Sequence, residues 1–307
     1  MGFSWVPGQG VCADRLTCMK DQACKPLKPM GEAWFMGEKR KIFTELEGDV
    51  SELPVRLLQE ILGEIGSGVH SFGHLDEWRE WLDYLLPHLI PRSHERFVSW
   101  LLEDLCSAFL QIDLDNSDPK LFRHCREDVL QTLGQTLMQE SNWSNGSVVL
   151  GKILHPSNNN PAKIWGWANV SGDLGASMAL CLRLIEPEDI MGWVQSIFAI
   201  DCPYWRAQVL TWYIGAKPLL DGKVQFPSQF DRWTPQIGWN WSHGIDGRYD
   251  QARVATSFIS GANIAEFKAT SEAALATADL NVWIEEILSI EALRSEVGSI
   301  IGRVRFL

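Results

Sequence analysis

The apolar residues in the first half of the chain recur at intervals of three and four positions. In residues 52–65 this spacing places six apolar side chains on one face of a helix, namely Leu53, Leu57, Leu58, Ile61, Leu62 and Ile65. The same spacing recurs in residues 76–89, 93–112 and 118–137. Because this periodicity is typical of an amphipathic α-helix, we predict four helices in this part of the chain.

Two blocks of loop-forming residues interrupt the helical pattern in the second half. Residues 141–172 are rich in Asn, Ser, Gly and Pro, and residues 221–250 combine Pro and Gly with three Trp. Within the first block, residues 148–150 fit either a short strand or a buried helical turn. Helical spacing returns in residues 172–185, 188–200, 204–220, 280–288 and 293–304, with Asp279 as the expected N-cap before residue 280. Long loops are uncommon in compact domains, so the second block is either functional or ordered by packing.

The number and spacing of these segments predict a mainly α-helical fold. Short connections favour antiparallel neighbours, as in a helical bundle or in a helix-pair solenoid of the HEAT type. Residues 1–36 contain many Gly and Pro, so we expect an irregular arm with one short helix near residues 13–20. We divide the rest into an acidic helical half, residues 37–140, and a Trp-rich helical half, residues 141–307. The alternative is one continuous domain over residues 37–307.

Negative charge is concentrated in the acidic helical half. The chain has 27 Lys and Arg against 39 Asp and Glu, which gives a net charge of −12. Residues 51–150 alone hold 7 basic and 16 acidic residues, a net charge of −9. Such a surface either forms a set of solvated helix faces or docks a basic partner. Because an acidic surface repels phosphate groups, we expect neither nucleic acid nor a membrane as a partner.

The seven cysteines are expected to be reduced thiols. The first residues lack the basic and then apolar pattern of a secretory signal, so we predict a cytoplasmic location. Cys12, Cys18 and Cys24 have five residues between successive members, whereas zinc ligands are usually two to four residues apart. Three unligated thiols are therefore expected, with zinc at these cysteines as the alternative and no other cofactor. His70 and His74 have the spacing of a helical ligand pair, but neighbouring glycines disfavour a helix there.

The richest local cluster of chemical groups lies in residues 238–247. Trp239 and Trp241 could form flat platforms for a ligand in this segment. His243 would then be the general base, with Asp246 or Asp231 orienting it. These three residues are the candidate catalytic groups.

A packing interpretation of the same segment is favoured. Trp239 and Trp241 would lie on one side of an extended strand and fill a hydrophobic hole, while His243 bonds a backbone group. A noncatalytic binding surface is the remaining interpretation, and an exposed aromatic patch usually marks a partner site. The candidate binding residues are Trp233, Trp239, Trp241, Arg232 and Arg248.

No convergent catalytic set accompanies these features. The chain contains no G-x-S-x-G elbow, Walker loop or G-x-G-x-x-G motif. Cys106, Cys125 and Cys181 fall on apolar stripes, where buried and inert thiols are expected. We therefore predict a noncatalytic protein–protein interaction protein, such as an adaptor, regulator or inhibitor, that uses an acidic helical face and a Trp-rich loop surface. The alternative is a hydrolase with a site near His243 and Asp246.

Overall fold

The protein is mainly α-helical. A computed structural model describes residues 2–31, 43–68, 75–113, 124–154, 170–233, 235–246, 257–291 and 293–294. These residues form helices α1 (Ala13–Gln22), α2 (Val55–Gly68), α3 (Leu75–Leu89), α4 (Leu101–Asp113), α5 (Arg126–Gln131), α6 (Gly172–Leu184), α7 (Pro187–Ala199), α8 (Pro203–Leu220), α9 (Gly261–Thr277) and α10 (Leu280–Ser289). Strands β1 (Trp143–Ser144) and β2 (Ser147–Val148) pair antiparallel in a short hairpin.

Helix α4 lies at the centre of the packed helices. Residues 101–112 are all buried, and α4 packs against α2, α3 and α6. Because α4 is buried on nearly every side, its polar side chains, such as Glu103, Asp104 and Ser107, require partners within the protein. Helices α7 and α9 pack together, as do α8 and α10. The helices therefore surround a shared core, while the bundle and solenoid arrangements stay predictions.

The N-terminal arm contributes to that core. Trp5 is 1% exposed and donates its indole N–H to the Gly134 carbonyl at 2.9 Å. Its ring packs edge-on against Trp193 of α7 and Trp205 of α8, at centroid distances of 5.3 and 5.8 Å. Burial of such large aromatic side chains stabilises the packing of the arm against the helices. The expected short helix within the arm is α1.

The helices expected at residues 52–65, 76–89, 172–185, 188–200, 204–220 and 280–288 are present with small shifts at their ends. The Asp279 carboxylate caps α10, since it accepts hydrogen bonds from the backbone N–H groups of Asn281 and Val282 at 3.2 Å. His70 and His74, the candidate Arg248, and most of the stripe over residues 293–304 lie outside the described residues.

The helix expected over residues 93–112 begins eight residues late, at Leu101. Arg92 forms a double ion pair with Glu95, with N···O distances of 2.6 and 2.7 Å, which holds residues 92–95 in a turn. The Ser93 carbonyl then accepts from the Leu102 N–H at 3.2 Å, so the chain loops back onto the start of α4. Helical spacing in residues 93–100 therefore gave a wrong prediction.

The prediction of one helix over residues 118–137 is also wrong in its second half. Residues 114–123 lie outside the described residues, and α5 ends at Gln131. The Thr132 hydroxyl donates to the Asp128 carbonyl at 2.7 Å, and the chain continues as a 3-10 helix over Leu133–Met138. Cys125 precedes α5 as an exposed N-cap, which corrects the expectation of a buried thiol, whereas Cys106 and Cys181 are buried.

The first loop block contains the β1–β2 hairpin. Asn145 and Gly146 form its turn with φ angles of 50° and 76°. Positive φ at both central positions is the geometry that joins twisted antiparallel strands, and Asn-Gly adopts it at low cost. Of the two alternatives for residues 148–150, the short strand is confirmed at Val148, whereas its pairing in a hairpin was not predicted, although the Asn-Gly pair signals it.

The second loop block is ordered by packing over two helices. Its extended segment, residues 235–238, crosses α6 at Gly175 and α8 at Gly215. A Cβ atom at Gly175 would lie 2.6 Å from the Ile237 carbonyl oxygen, and one at Gly215 would lie 2.5 Å from that of Pro235. Only glycine leaves room for so close a backbone approach. The two glycines thus seat the segment against the helices.

Among the described residues, no helix combines the length and apolar character that crossing a membrane requires.

Candidate functional site

The segment that follows the crossing, residues 238–246, is here called the Trp loop. Trp239 is 4% exposed, donates its indole N–H to Ser107 Oγ at 3.0 Å and packs against Phe230. Trp241 is half-buried and has a φ of 65°, a left-handed conformation that is rare for a bulky residue. Its ring lies against Gly63 of α2, where an added Cβ atom would be 3.3 Å away. The loop therefore carries one core Trp and one Trp at the surface.

Asn240 fastens the Trp loop to the start of α4. Its backbone N–H donates to Glu103 Oε2 at 2.8 Å, and its carbonyl accepts from the Ser107 hydroxyl at 2.7 Å. Its side-chain amide donates to Asp104 Oδ1 at 2.6 Å and to Ser99 Oγ at 3.0 Å. Hydrogen bonds to charged acceptors are stronger than neutral ones, so this array fixes the loop position.

The Glu103 carboxylate is buried against the beginning of α6. A Cβ atom at Gly172 would lie 2.2 Å from Glu103 Oε2. The positive end of the α6 dipole stabilises a carboxylate at this position, which offsets part of the cost of burying it. Glu103 thereby connects α4, α6 and the Trp loop.

Asp104 has the most perturbed carboxyl group described near the loop. Burial raises its pKa to about 7, although hydrogen bonds from Ser99, Asn240 and Gln59 act in the opposite direction. Its Oδ2 accepts from the Ser99 hydroxyl at 2.9 Å. Gln59 of α2 in turn donates to the Ser99 carbonyl and accepts from the Val98 N–H at 3.1 Å. The network therefore extends from the Trp loop across to α2.

Ionisation of Asp104 is expected to reduce stability as pH rises. The folded-state pKa lies above the ordinary value of 3.8, so the protonated Asp104 carboxyl group contributes its full stabilisation below about pH 4. This stabilisation is lost as the pH rises through about 7. Substituting Asp104→Asn should remove this loss. Between pH 5 and 8, the free energy of unfolding of the wild type should decrease by about 1–3 kcal/mol more than that of the variant.

Urea titrations of both proteins across this pH range provide the measurement. Subtracting the two profiles removes the contributions of the other charged groups, such as the neighbouring Glu103 and the cleft residues Arg56, Glu60 and Glu64. Parallel profiles for wild type and variant would contradict the assignment of the transition to Asp104.

A cleft of about 660 Å³ opens between α2 and this network. One wall is a face of α2 that presents Arg56, Gln59, Glu60, Gly63, Glu64 and Ser67. The opposite wall consists of Phe97, Val98, Ser99, Asn240 and Trp241, with Phe43 and Asp104 completing the lining. Phe97 and Val98 are 54% and 51% exposed. These two side chains therefore present apolar surface to solvent beside the cleft.

The charged groups of the cleft are mostly acidic. Among the described lining residues, Glu60 and Glu64 carry carboxyl groups, Arg56 is basic, and the carboxyl group of Asp104 is buried with a pKa raised to about 7. Arg56 is paired with Glu60 at 3.0 Å, and its guanidinium lies over the Phe97 ring at 5.7 Å from the centroid. The cleft is therefore suited to groups that are apolar or positively charged.

The candidate catalytic residues lie around the Trp loop. His243 is exposed and stacks on Trp241 with a centroid distance of 5.7 Å. The Asp231 carboxylate lies against Gly238, where burial raises its pKa while the His243 charge and the Gly238 N–H act to lower it. Within the described part of the chain, no hydrogen bond joins His243 to Asp231, and Asp246 is buried. The structure thus brings these residues near one another without forming a hydrogen-bonded His–Asp231 pair.

The candidate binding residues separate into different environments. Trp239 is core, Trp241 lines the cleft, and Trp233 is 45% exposed at the end of the 3-10 helix Pro227–Arg232. Arg232 is exposed beside it. Among the described members of this set, Trp241 lines the cleft.

Cys12, Cys18 and Cys24 lie before, within and after α1, and each has a free thiol. Cys18 Sγ accepts a hydrogen bond from Gln22 Nε2 at 3.1 Å. Over the described ranges, no three His, Cys, Asp or Glu side chains converge in a way that could hold a metal ion. Zinc at these cysteines stays a prediction.

A second cleft of about 740 Å³ lies among α7, α8, α9 and α10. Ala and Thr side chains of α9 form much of its lining. Its charged residue, Arg206, is paired with Asp201 and Glu286 and stacks on Trp283. Among the described lining residues, this cleft has fewer charged side chains than the first.

Several residues of the first cleft were missed in the sequence. Glu103 and Asp104 are two adjacent acids within the mainly apolar stretch 101–110, and that exception is the signal that could have drawn attention to them. Gln59 and Ser99 carry no such signal, because their partners come from distant parts of the chain. Phe97 looked like one member of a buried helical stripe.

No family model, curated protein or solved structure matches this chain. The candidate function therefore has to be inferred from the cleft itself.

Proposed function

We propose that this is a noncatalytic protein–protein interaction protein whose cleft binds a basic, partly apolar segment of a partner. The observation that carries the proposal is the combination in one cleft of the Glu60 and Glu64 carboxyl groups with the exposed pair Phe97 and Val98. An adaptor, a regulator or an inhibitor could use such a site.

Phe97 and Val98 provide the apolar surface that favours binding of a partner. Burying Phe97 and Val98 under a partner side chain would remove apolar surface from water, which is the main favourable term in association. Trp241 extends this surface on the same side of the cleft. Aromatic residues at the centre of a contact are frequent anchors of binding energy.

The charged groups supply selectivity. The acidic helical half has a net charge of −9 over residues 51–150, and the cleft lies partly on this half. A surplus of carboxylates attracts basic segments and repels acidic ones, and so affects partner choice and association rate. It also argues against nucleic acid and anionic membranes as partners. The seven free thiols support the cytoplasmic location that we propose.

Selection of peptides on the immobilised protein tests this proposal. A phage-displayed library of random dodecapeptides should yield binders that combine Arg or Lys with apolar residues. The same selection on a Phe97→Ser/Val98→Ser variant should lose these peptides, whereas a Met191→Ser variant should retain them. Met191 is a matched control because it is 52% exposed and lies on the other cleft.

Two outcomes would overturn the proposal. One is the enrichment of acidic peptides, since these should be repelled by Glu60 and Glu64. The other is that the Phe97→Ser/Val98→Ser variant enriches the same peptides as the wild type. Circular dichroism of both variants confirms that the comparison is made between folded proteins.

A hydrolase is the second candidate, and one observation favours it. Asp104 lines the cleft with a pKa of about 7, so its carboxyl group could donate or accept a proton at neutral pH. The hydrolase alternative also involves His243, which stacks on Trp241 of the cleft, and Asp246. Both Asp104 oxygens accept hydrogen bonds within the protein, from Asn240 and Ser99, so the carboxyl group has a structural role. For this reason we rank the binding function above the hydrolase. The Asp104→Asn variant separates the two candidates. A hydrolase would lose turnover of its substrate in this variant, whereas a noncatalytic binding protein would have no turnover to lose.

A further inference from the structure

Arg56 shows which chemical group the cleft can hold. Its guanidinium lies over the Phe97 ring at 5.7 Å and pairs through Nε with Glu60 Oε1 at 3.0 Å. All three side chains line the cleft. The protein's own arginine is thus held by an aromatic face and a carboxylate at the place where a partner would bind.

This arrangement is held weakly. The Arg56 and Glu60 side chains are 69% and 48% exposed, and they form an i,i+4 pair on the surface of α2. Exposed pairs of this kind contribute little to stability, because water and salt screen them. A competing cation could therefore displace Arg56 without disturbing the fold.

We propose that the cleft recognises the guanidinium group of a partner arginine, which takes the place of Arg56 on Phe97 and Glu60. This inference rests on the proposed binding function and specifies the side chain that is recognised. A planar guanidinium stacks on an aromatic ring and presents a fork of donors to a carboxylate, whereas an ammonium does so less well. Arg56 is then an internal competitor of the partner.

The direction of the Arg56→Ala effect distinguishes this proposal from a structural role. With N-acetylarginine amide as the probe, removing the competitor should tighten binding by about two- to fivefold. Loss of a structural contact would weaken binding instead. Substituting Phe97→Leu keeps an apolar side chain but removes the aromatic face, so it should weaken binding of the same probe.

Arg96→Ala is the matched control. Arg96 also lies over an aromatic ring, that of Trp100 at 6.0 Å, and it precedes Phe97 in the chain. Its removal deletes the same charge near the cleft without vacating Phe97 or Glu60. The affinity for the probe should therefore change less than in Arg56→Ala.

Titration of the full-length protein, followed by NMR at the Trp241 indole, provides the measurement. N-acetylcitrulline amide, which has the same shape without the charge, should give no saturable shift. Equal shifts with the citrulline probe, or weaker arginine binding in Arg56→Ala, would overturn the inference. If selected peptides bind the cleft equally well after their arginines are replaced by citrulline, this inference fails while the proposed binding function stands. A library that enriches no peptide sensitive to Phe97→Ser/Val98→Ser removes the binding function itself.

Discussion

Replacing Gly175 with alanine is expected to reduce the free energy of unfolding by about 1–3 kcal/mol. Alanine normally stabilises a helix interior relative to glycine, so the sign of the effect depends on the surroundings. At Gly175 the new methyl group would lie 2.6 Å from the Ile237 carbonyl oxygen, and a backbone atom cannot turn aside as a side chain can. The extended segment 235–238 would have to lift from α6.

Gly192 in α7 is the matched control, because nothing lies within 4 Å of a Cβ atom added there. The same substitution at Gly192 should stabilise the protein by about 0.5–1 kcal/mol. Urea unfolding followed by far-ultraviolet circular dichroism measures both changes. Stabilisation by Gly175→Ala would mean that segment 235–238 does not lie on α6 as described.

Truncation of Trp239 should have the largest effect of any single substitution in the Trp loop. Trp239→Ala removes a side chain that is 4% exposed and leaves the Ser107 hydroxyl without the indole donor. Large-to-small changes of buried aromatic residues cost about 3–5 kcal/mol, and a similar loss is expected here. The loop should loosen from α4, so peptide binding in the cleft should weaken as well.

Trp233→Ala serves as the comparison, since that side chain is 45% exposed. Its effect on unfolding should remain within about 0.5 kcal/mol. Guanidinium unfolding of the two variants under identical conditions gives the difference. Similar small effects at both positions would contradict the assignment of Trp239 to the core and would favour a binding role for it.

The sequence contained enough information for most helices and little for the cleft. Spacing of apolar residues located α2, α3 and α7, and it also located α6 and α8, which are buried on nearly every side. It failed in residues 93–100, where Phe97 fits the stripe but the Arg92–Glu95 pair bends the chain. Local side-chain pairing outweighed helix periodicity at that point, and this deviation exposes the apolar pair of the cleft.

The Trp loop shows a second limit of sequence interpretation. Its Trp residues were identifiable as unusual, but their separation into core and surface depends on glycines elsewhere in the chain. Gly63 makes room for Trp241, and Gly175 makes room for the segment that leads to Trp239. In the sequence, a glycine within a helix only indicates low helix propensity. Its role in packing becomes clear once the segment that crosses it is known. Long-range complementarity of this kind leaves no local pattern.

The acids that organise the site illustrate a third case. Glu103 and Asp104 begin a central helix, where acidic residues are favourable at the N-terminus. Their partners, Asn240 and Ser99, come from separate segments, so the network could not be inferred from either segment alone. The consequence is a loop that is held rigidly beside α2, which preforms the cleft.

The affinity of selected basic peptides for cleft variants tests the binding proposal most directly. Fluorescence anisotropy with a labelled peptide from the library gives dissociation constants for the wild type, Phe97→Ser/Val98→Ser and Met191→Ser. We predict that the double substitution weakens binding by about tenfold or more, while Met191→Ser leaves it within about twofold. Equal affinity of wild type and the double variant, with both proteins folded, would contradict the proposal that this cleft is the binding site.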